Sequence, residues 1–131
     1  MRGFLTLCHH VARLAGGTVV DHVRAGVTPS FHAAVLRRPG HEDVALLRHA
    51  VLPMVAFARP AAPGDTTVAF VDDPGLAALA GRGSGLRVLT TDQLAAPLSV
   101  VDLTGLGADE HRQIAYWTPG TVGELLFNFW N

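Results

Sequence analysis

Seven histidines in a chain of 131 residues are the densest source of chemistry in this sequence. Three of them, His22, His32 and His49, fall on three consecutive segments with strand character, residues 18–24, 31–37 and 44–49. Imidazole is the side chain whose charge ordinarily changes between about pH 5 and 8, and its neutral form ligates divalent metals. If the second and third segments pair through a loop at residues 39–42, His32 faces His49. If the first and second pair through residues 25–29, His22 faces His32. All three then form one row on one face of a sheet. Such a row would hold zinc or another divalent metal with an open position, or supply a general base. The same pattern also describes half-exposed polar residues on a solvated face, and a slip of one residue sends a histidine to the other side. A divalent metal is therefore a candidate ligand of the row, and no cofactor is predicted.

The second group with chemical potential is cationic. All ten basic residues are arginine. Arg37, Arg38 and Arg48 would gather at one end of a hairpin. There they would form either an anion site for a phosphate or carboxylate, or a solvated edge paired with Glu42 and Asp43. Tyr116 and Trp117, just before the Pro119-Gly120 break, would border a ligand pocket, where an amphipathic ring suits both a wet and a dry side. Arg37, Arg48, Tyr116 and Trp117 are thus the candidate ligand-binding residues.

Other groups have simpler explanations. Asp72-Asp73 would suit Mg²⁺ or acid–base work, yet Asp73-Pro74 also reads as the cap and first residue of a helix. The run Gly81-Arg82-Gly83-Ser84-Gly85 follows a helix and precedes a strand, the reverse of a phosphate-cradling loop. Ser30, Ser84 and Ser99 lack a nucleophile-elbow context. Cys8, the only cysteine, excludes an intrachain disulfide and lies among apolar neighbours, where a thiol is ordinarily inert. His9 and His10 cannot share one helix face, and His41 and His111 fall at surface positions.

These groups must be positioned by recognisable elements. Phe4, Leu7, Cys8, Val11 and Leu14 recur at helical spacing, and Gly16-Gly17 stops the helix. The three histidine-bearing segments follow as an antiparallel meander separated by turn chemistry. Residues 51–59 continue as a fourth strand, with Pro53 near its start, and residues 67–71 as a fifth. Residues 76–80 form a short helix, 86–89 a short strand, and Thr91-Asp92 opens a helical turn that Pro97 stops. Residues 109–117 have helical character. Thr121-x-x-Glu124 is a capping-box pattern before a last helix lined by Val122, Leu125, Leu126, Phe129 and Trp130. Strands are grouped rather than alternating with helices. The expected fold is a single α+β domain, a mostly antiparallel sheet of five or six strands with helices at the N-terminus, middle and C-terminus.

Bulk properties narrow the function classes. Ten basic residues against eleven acidic ones give a net charge of −1, without the basic excess of a nucleic-acid binder. No apolar run is long enough to span a bilayer, and MRGFLTLCHH lacks the apolar core of a signal peptide, so a soluble cytoplasmic protein is expected. A charged content of only 16% suggests that part of the surface is covered by another subunit. The last sixteen residues hold five of the nine aromatic residues, Tyr116, Trp117, Phe127, Phe129 and Trp130. An end this rich in rings is docked into the core or onto a partner, and Phe127, off the main stripe, leaves apolar surface for a homodimer.

The ending, with its Tyr-Trp-x-Pro-x-Thr-Val-Gly-Glu core and Phe-Asn-x-Trp close, resembles the tails of small uncharacterised proteins of GC-rich actinobacteria over about the last twenty residues. The resemblance implies a recurring docked tail and brings no activity or cofactor with it. The expected function is a non-catalytic accessory or binding protein for a small molecule or protein partner. One alternative is a small enzyme using a histidine-lined pocket for proton transfer or metal-assisted hydrolysis. A second is a toxin–antitoxin or immunity-type partner.

Overall fold

Helix α1 (Arg2–Leu14) buries Phe4, Cys8 and Val11, three positions that share one face at 3.6 residues per turn. Ala12 flanks that stripe and is buried with it. Leu14, expected on the same stripe, lies roughly a quarter turn from its centre and is 56% exposed. The helix ends in a Schellman motif. The Gly17 amide donates to the Ala12 carbonyl at 2.8 Å, the Gly16 amide to that of Arg13 at 3.1 Å, and Gly16 takes φ +80°. At Gly17 a Cβ atom would come within 2.1 Å of the Arg37 carbonyl oxygen, so only glycine lets the chain turn this tightly against the sheet.

The computed structural model describes residues 2–23, 31–62, 67–97 and 120–128. Strands β1 (Thr18–Val23), β2 (Phe31–Arg37), β3 (Val44–His49) and β4 (Met54–Ala58) form the expected antiparallel meander. The outer edge of β4 is shared end to end. Strand β5 (Phe70–Val71) pairs antiparallel with Phe57 and Ala58, and β6 (Arg87–Val88) pairs parallel with Met54 and Val55. β4 starts at Met54 rather than at residue 51, because Val51 and Leu52 turn around His49. The expected fifth strand contracts to Phe70–Val71.

Both sheet faces are covered. On one, Phe4, Cys8 and Val11 of α1 pack with Ala34, Leu36, Leu46, Val55 and Phe57, joined by Leu76 of helix α2 (Pro74–Gly81). On the other, Phe31, Leu47 and Ala56 pack with Leu89, with Leu94 of helix α3 (Thr91–Leu94) and with Leu126 and Phe127 at the end of helix α4 (Val122–Leu126). Alternation along β2 and β3 sends successive side chains to these two faces.

The helix starts follow the sequence. Asp73 caps α2 by accepting from the Leu76 amide at 3.0 Å, with Pro74 in the first turn. At α4, Thr121 accepts from the Glu124 amide at 3.2 Å. The Glu124 carboxylate reaches one residue beyond the cap, to the Gly120 amide at 3.0 Å. Phe127 is 2% exposed, edge-on to Phe31 and Phe70 at ring separations of 6.0 and 5.8 Å. This part of the tail therefore docks in the chain's own core, and the expected apolar surplus at Phe127 does not exist. The expected helix at residues 109–117, together with Phe129 and Trp130, lies outside the described residues. Among the described residues no helix is long and apolar enough to cross a membrane.

Candidate functional site

The histidine row does not form. In the β2–β3 ladder His32 stands opposite Arg48, and His49 stands opposite Phe31. The register is one residue away from the expected one, because the hairpin closes at the exposed Arg37–Asp43 ion pair, 2.8 Å, rather than at Arg38–Asp43. One residue of slip inverts a face. His49 therefore joins Phe31 on the face of α3 and α4, while His32 lies on the face of α1. In the first hairpin a bulge between Val19 and Asp21 sets His22 opposite Ala34, two rungs from His32. His22 is exposed on this edge strand, and its amide donates to the neighbouring Asp21 carboxylate at 2.8 Å. Among the described residues no group of three His, Cys, Asp or Glu side chains is arranged to hold a metal ion.

His49 has a structural role. Its ring is buried, and Nδ1 accepts from the amides of Val51 at 3.1 Å and Leu52 at 3.0 Å. A nitrogen that accepts two N–H groups carries no proton, so the ring is neutral. Burial, and secondarily the Arg48 charge, lower its pKa from 6.5 to about 4. This is an imidazole used to fold the β3–β4 turn.

The arginines separate as well. Arg37 sits at the turn end of the β2–β3 hairpin, bidentate to Asp43, and Arg48 lies towards the opposite end. The expected Arg37–Arg48 cluster is thus absent. Arg38 is held at Asp73 Oδ2, 2.7 Å, in a largely buried pair that ties the hairpin turn to the cap of α2. Asp72 is likewise structural. Its carboxylate accepts from the Thr91 hydroxyl and amide at the start of α3, which lowers its pKa. Burial pushes the Cys8 thiol up to about 12, where it is neither nucleophile nor ready ligand. Tyr116 and Trp117 lie outside the described residues.

What the structure does bring together is a groove of about 640 Å³ between α1 and the α1-facing side of β2–β3. The β strands contribute His32 and Arg48 from directly opposed positions. Helix α1 contributes Thr6 and His10 from its polar flank, and the loop after α2 contributes Ser84. Phe4 forms an apolar wall, its ring 6.1 Å from that of His32 and tilted by 31°. Arg48 is half-buried and spends one hydrogen bond on the His49 carbonyl, at 2.6 Å. No acidic side chain lines this groove among the described residues. Thr6 and His10 are exposed, as positions opposite the apolar stripe of α1 should be, and the sequence singled out neither as a site residue. The signal it lacked was the β2–β3 register, which sets Arg48 beside His32 under the flank of α1.

A second hollow, about 260 Å³, lies on the other sheet face over Ala33, Val35, Ala45, Leu47 and Ala58. Its floor is apolar, and its polar lining comprises Asp21, His22, Arg59 and Thr67. Convergent polar groups distinguish a specific site from a packing hollow. By that criterion the α1 groove is the stronger candidate.

Compared with known family models, curated proteins and solved structures, the chain has no match.

Proposed function

We propose that the protein is a non-catalytic binding protein that holds a small molecule in the groove between α1 and β2–β3. The observation that supports this best is the direct opposition of His32 and Arg48 in a groove that Thr6, His10 and Ser84 also line, beside the Phe4 ring. Polar groups fix a ligand's orientation, and an apolar wall takes its body. The enzyme reading draws less support. It needs an imidazole poised to move a proton and oriented by a second group, whereas His49 is committed to backbone amides. His32 faces a guanidinium, which disfavours a metal cation at the same place.

In this reading the protein works in the cytoplasm as a homodimer. The low charged fraction and the exposed Leu14, Val20 and Val51 support a covered surface. Light scattering that gives the mass of one chain at micromolar concentration would remove the dimer from the account.

A thermal-shift screen of small polar and amphipathic fragments tests the groove. Ala50 is exposed at its margin. Hits should stabilise the wild type and lose that effect in Ala50→Trp, whose indole would fill the groove. Hits that stabilise both proteins equally place the ligand elsewhere and sink the reading.

A further inference from the structure

The groove's electrostatics define its ligand more narrowly. We infer that the bound molecule carries an oxyanionic group, a phosphate or a carboxylate, anchored by Arg48; the inference rests on the groove being the binding site. A guanidinium has five N–H donors in a planar fork that matches an oxyanion. Arg48 uses one hydrogen bond within the protein, Nη1 to the His49 carbonyl, and no carboxylate lies within ion-pair distance of it among the described residues. The other described arginines with partly buried or hairpin positions are treated differently by the fold. Arg37 meets Asp43 and Arg38 meets Asp73. Of the three, Arg48 is the one that shares a groove with further nitrogen bases, His32 across the ladder and His10 from α1, and no acid lines that groove among the described residues.

The charges add in one direction. A half-buried guanidinium is screened less than a surface one, so its field persists in the groove. The imidazoles of His32 and His10 line the same groove. Thr6 and Ser84 lie at the margin, where the Ser84 hydroxyl is committed to the fold, donating to the Ala80 carbonyl at 2.7 Å and accepting from the Leu86 amide at 3.2 Å. Phe4 and Leu86 give the groove an apolar part. A cationic ligand would meet Arg48 without a counter-charge, and a wholly neutral one would leave its guanidinium unmatched.

The test is a titration followed by amide and arginine side-chain resonances, with inorganic phosphate and acetate as separate probes at constant ionic strength. The expected result is saturable shifts at Arg48, His32 and His10 with at least one probe. Phosphate alone indicates a phosphorylated ligand, and acetate alone a carboxylic acid. Arg48→Gln should weaken that binding at least 10-fold, and Arg13→Gln, an exposed helix position, should leave it unchanged. Ala50→Glu, at an exposed position on the groove margin, should also weaken it at least 10-fold, so the outcome does not hinge on Arg48→Gln folding normally. If neither probe shifts the groove while neutral fragments do, the groove remains the site and the oxyanion inference is overturned. If neither probe nor any fragment shifts it, the groove reading itself falls. Equal shifts at Arg13 and Arg48 would mean diffuse ion association and would overturn the inference.

Discussion

Arg48 stands directly opposite His32 across the β2–β3 ladder, and among the described residues no carboxylate lies within ion-pair distance of its guanidinium. An imidazole and a guanidinium in directly opposed strand positions supply no opposite-charge pairing to each other. In the proposed reading, Arg48 is kept for a ligand rather than for the fold.

That explanation fixes the expected cost of removing Arg48. Replacing it with Met keeps the length of the aliphatic stem and removes a half-buried charge. One hydrogen bond to the His49 carbonyl is lost, worth about 1 kcal/mol, and relief of the unbalanced charge offsets it. Arg48→Met should therefore change unfolding free energy by no more than about 1 kcal/mol in urea titrations. A loss of about 3 kcal/mol or more would assign Arg48 a structural role.

The buried Arg38–Asp73 pair gives the opposite expectation. Asp73 accepts from Leu76 and also balances Arg38, whose Nε is buried without a hydrogen-bond partner among the described residues. Asp73→Ala removes the cap and strands a buried cation, and should cost on the order of 3–5 kcal/mol. Asp73→Asn retains an acceptor for the cap and removes the negative charge, so its loss reports mainly the stranded Arg38 and the further loss in Asp73→Ala mainly the cap. Chemical denaturation checks both. Equal losses would show that the cap contributes nothing.

His49 predicts a pH window. Its pKa is lowered from 6.5 to about 4 in the folded protein, so the unfolded chain binds the extra proton between those values. The contribution to stability is complete above about pH 6.5 and is lost as pH falls towards 4, in total on the order of 2 kcal/mol after screening by solvent. Protonation of Nδ1 would also displace the amides of Val51 and Leu52. His49→Asn keeps an acceptor near Nδ1 and should flatten the stability profile over that window. A slope unchanged in the variant would mean that another group titrates there.

Phe127 tests whether the tail belongs to the core. It is 2% exposed and touches rings from β2 and β5, so Phe127→Ala should lower stability by about 3–5 kcal/mol. A loss under about 1 kcal/mol in calorimetry would place the ring on the surface in solution.

Much of the fold was legible because it is written locally. Phe31–Arg37 and Val44–His49 are bounded by turn residues, Asp73-Pro74 carries its own cap, and Thr121 and Glu124 announce α4. The site was not legible, because it depends on register. The turn residues allow two ways to close the β2–β3 hairpin, and the observed one, with Arg37 paired to Asp43, separates His32 from His49. Leu14 shows the same limit on a helix, since an apolar residue at the right spacing still has to reach the core. Parallel pairing of β6 with β4 joins segments more than thirty residues apart and has no local signature.

The most direct test of the binding groove is a crystal structure of the wild-type protein grown with the best oxyanionic fragment from the thermal-shift screen. The account predicts the fragment's oxyanion within hydrogen-bond distance of the Arg48 guanidinium, with its body against Phe4 between α1 and β2–β3. A fragment seated over Ala33 and Leu47 on the other face of the sheet, with the α1 groove holding only water, would contradict it.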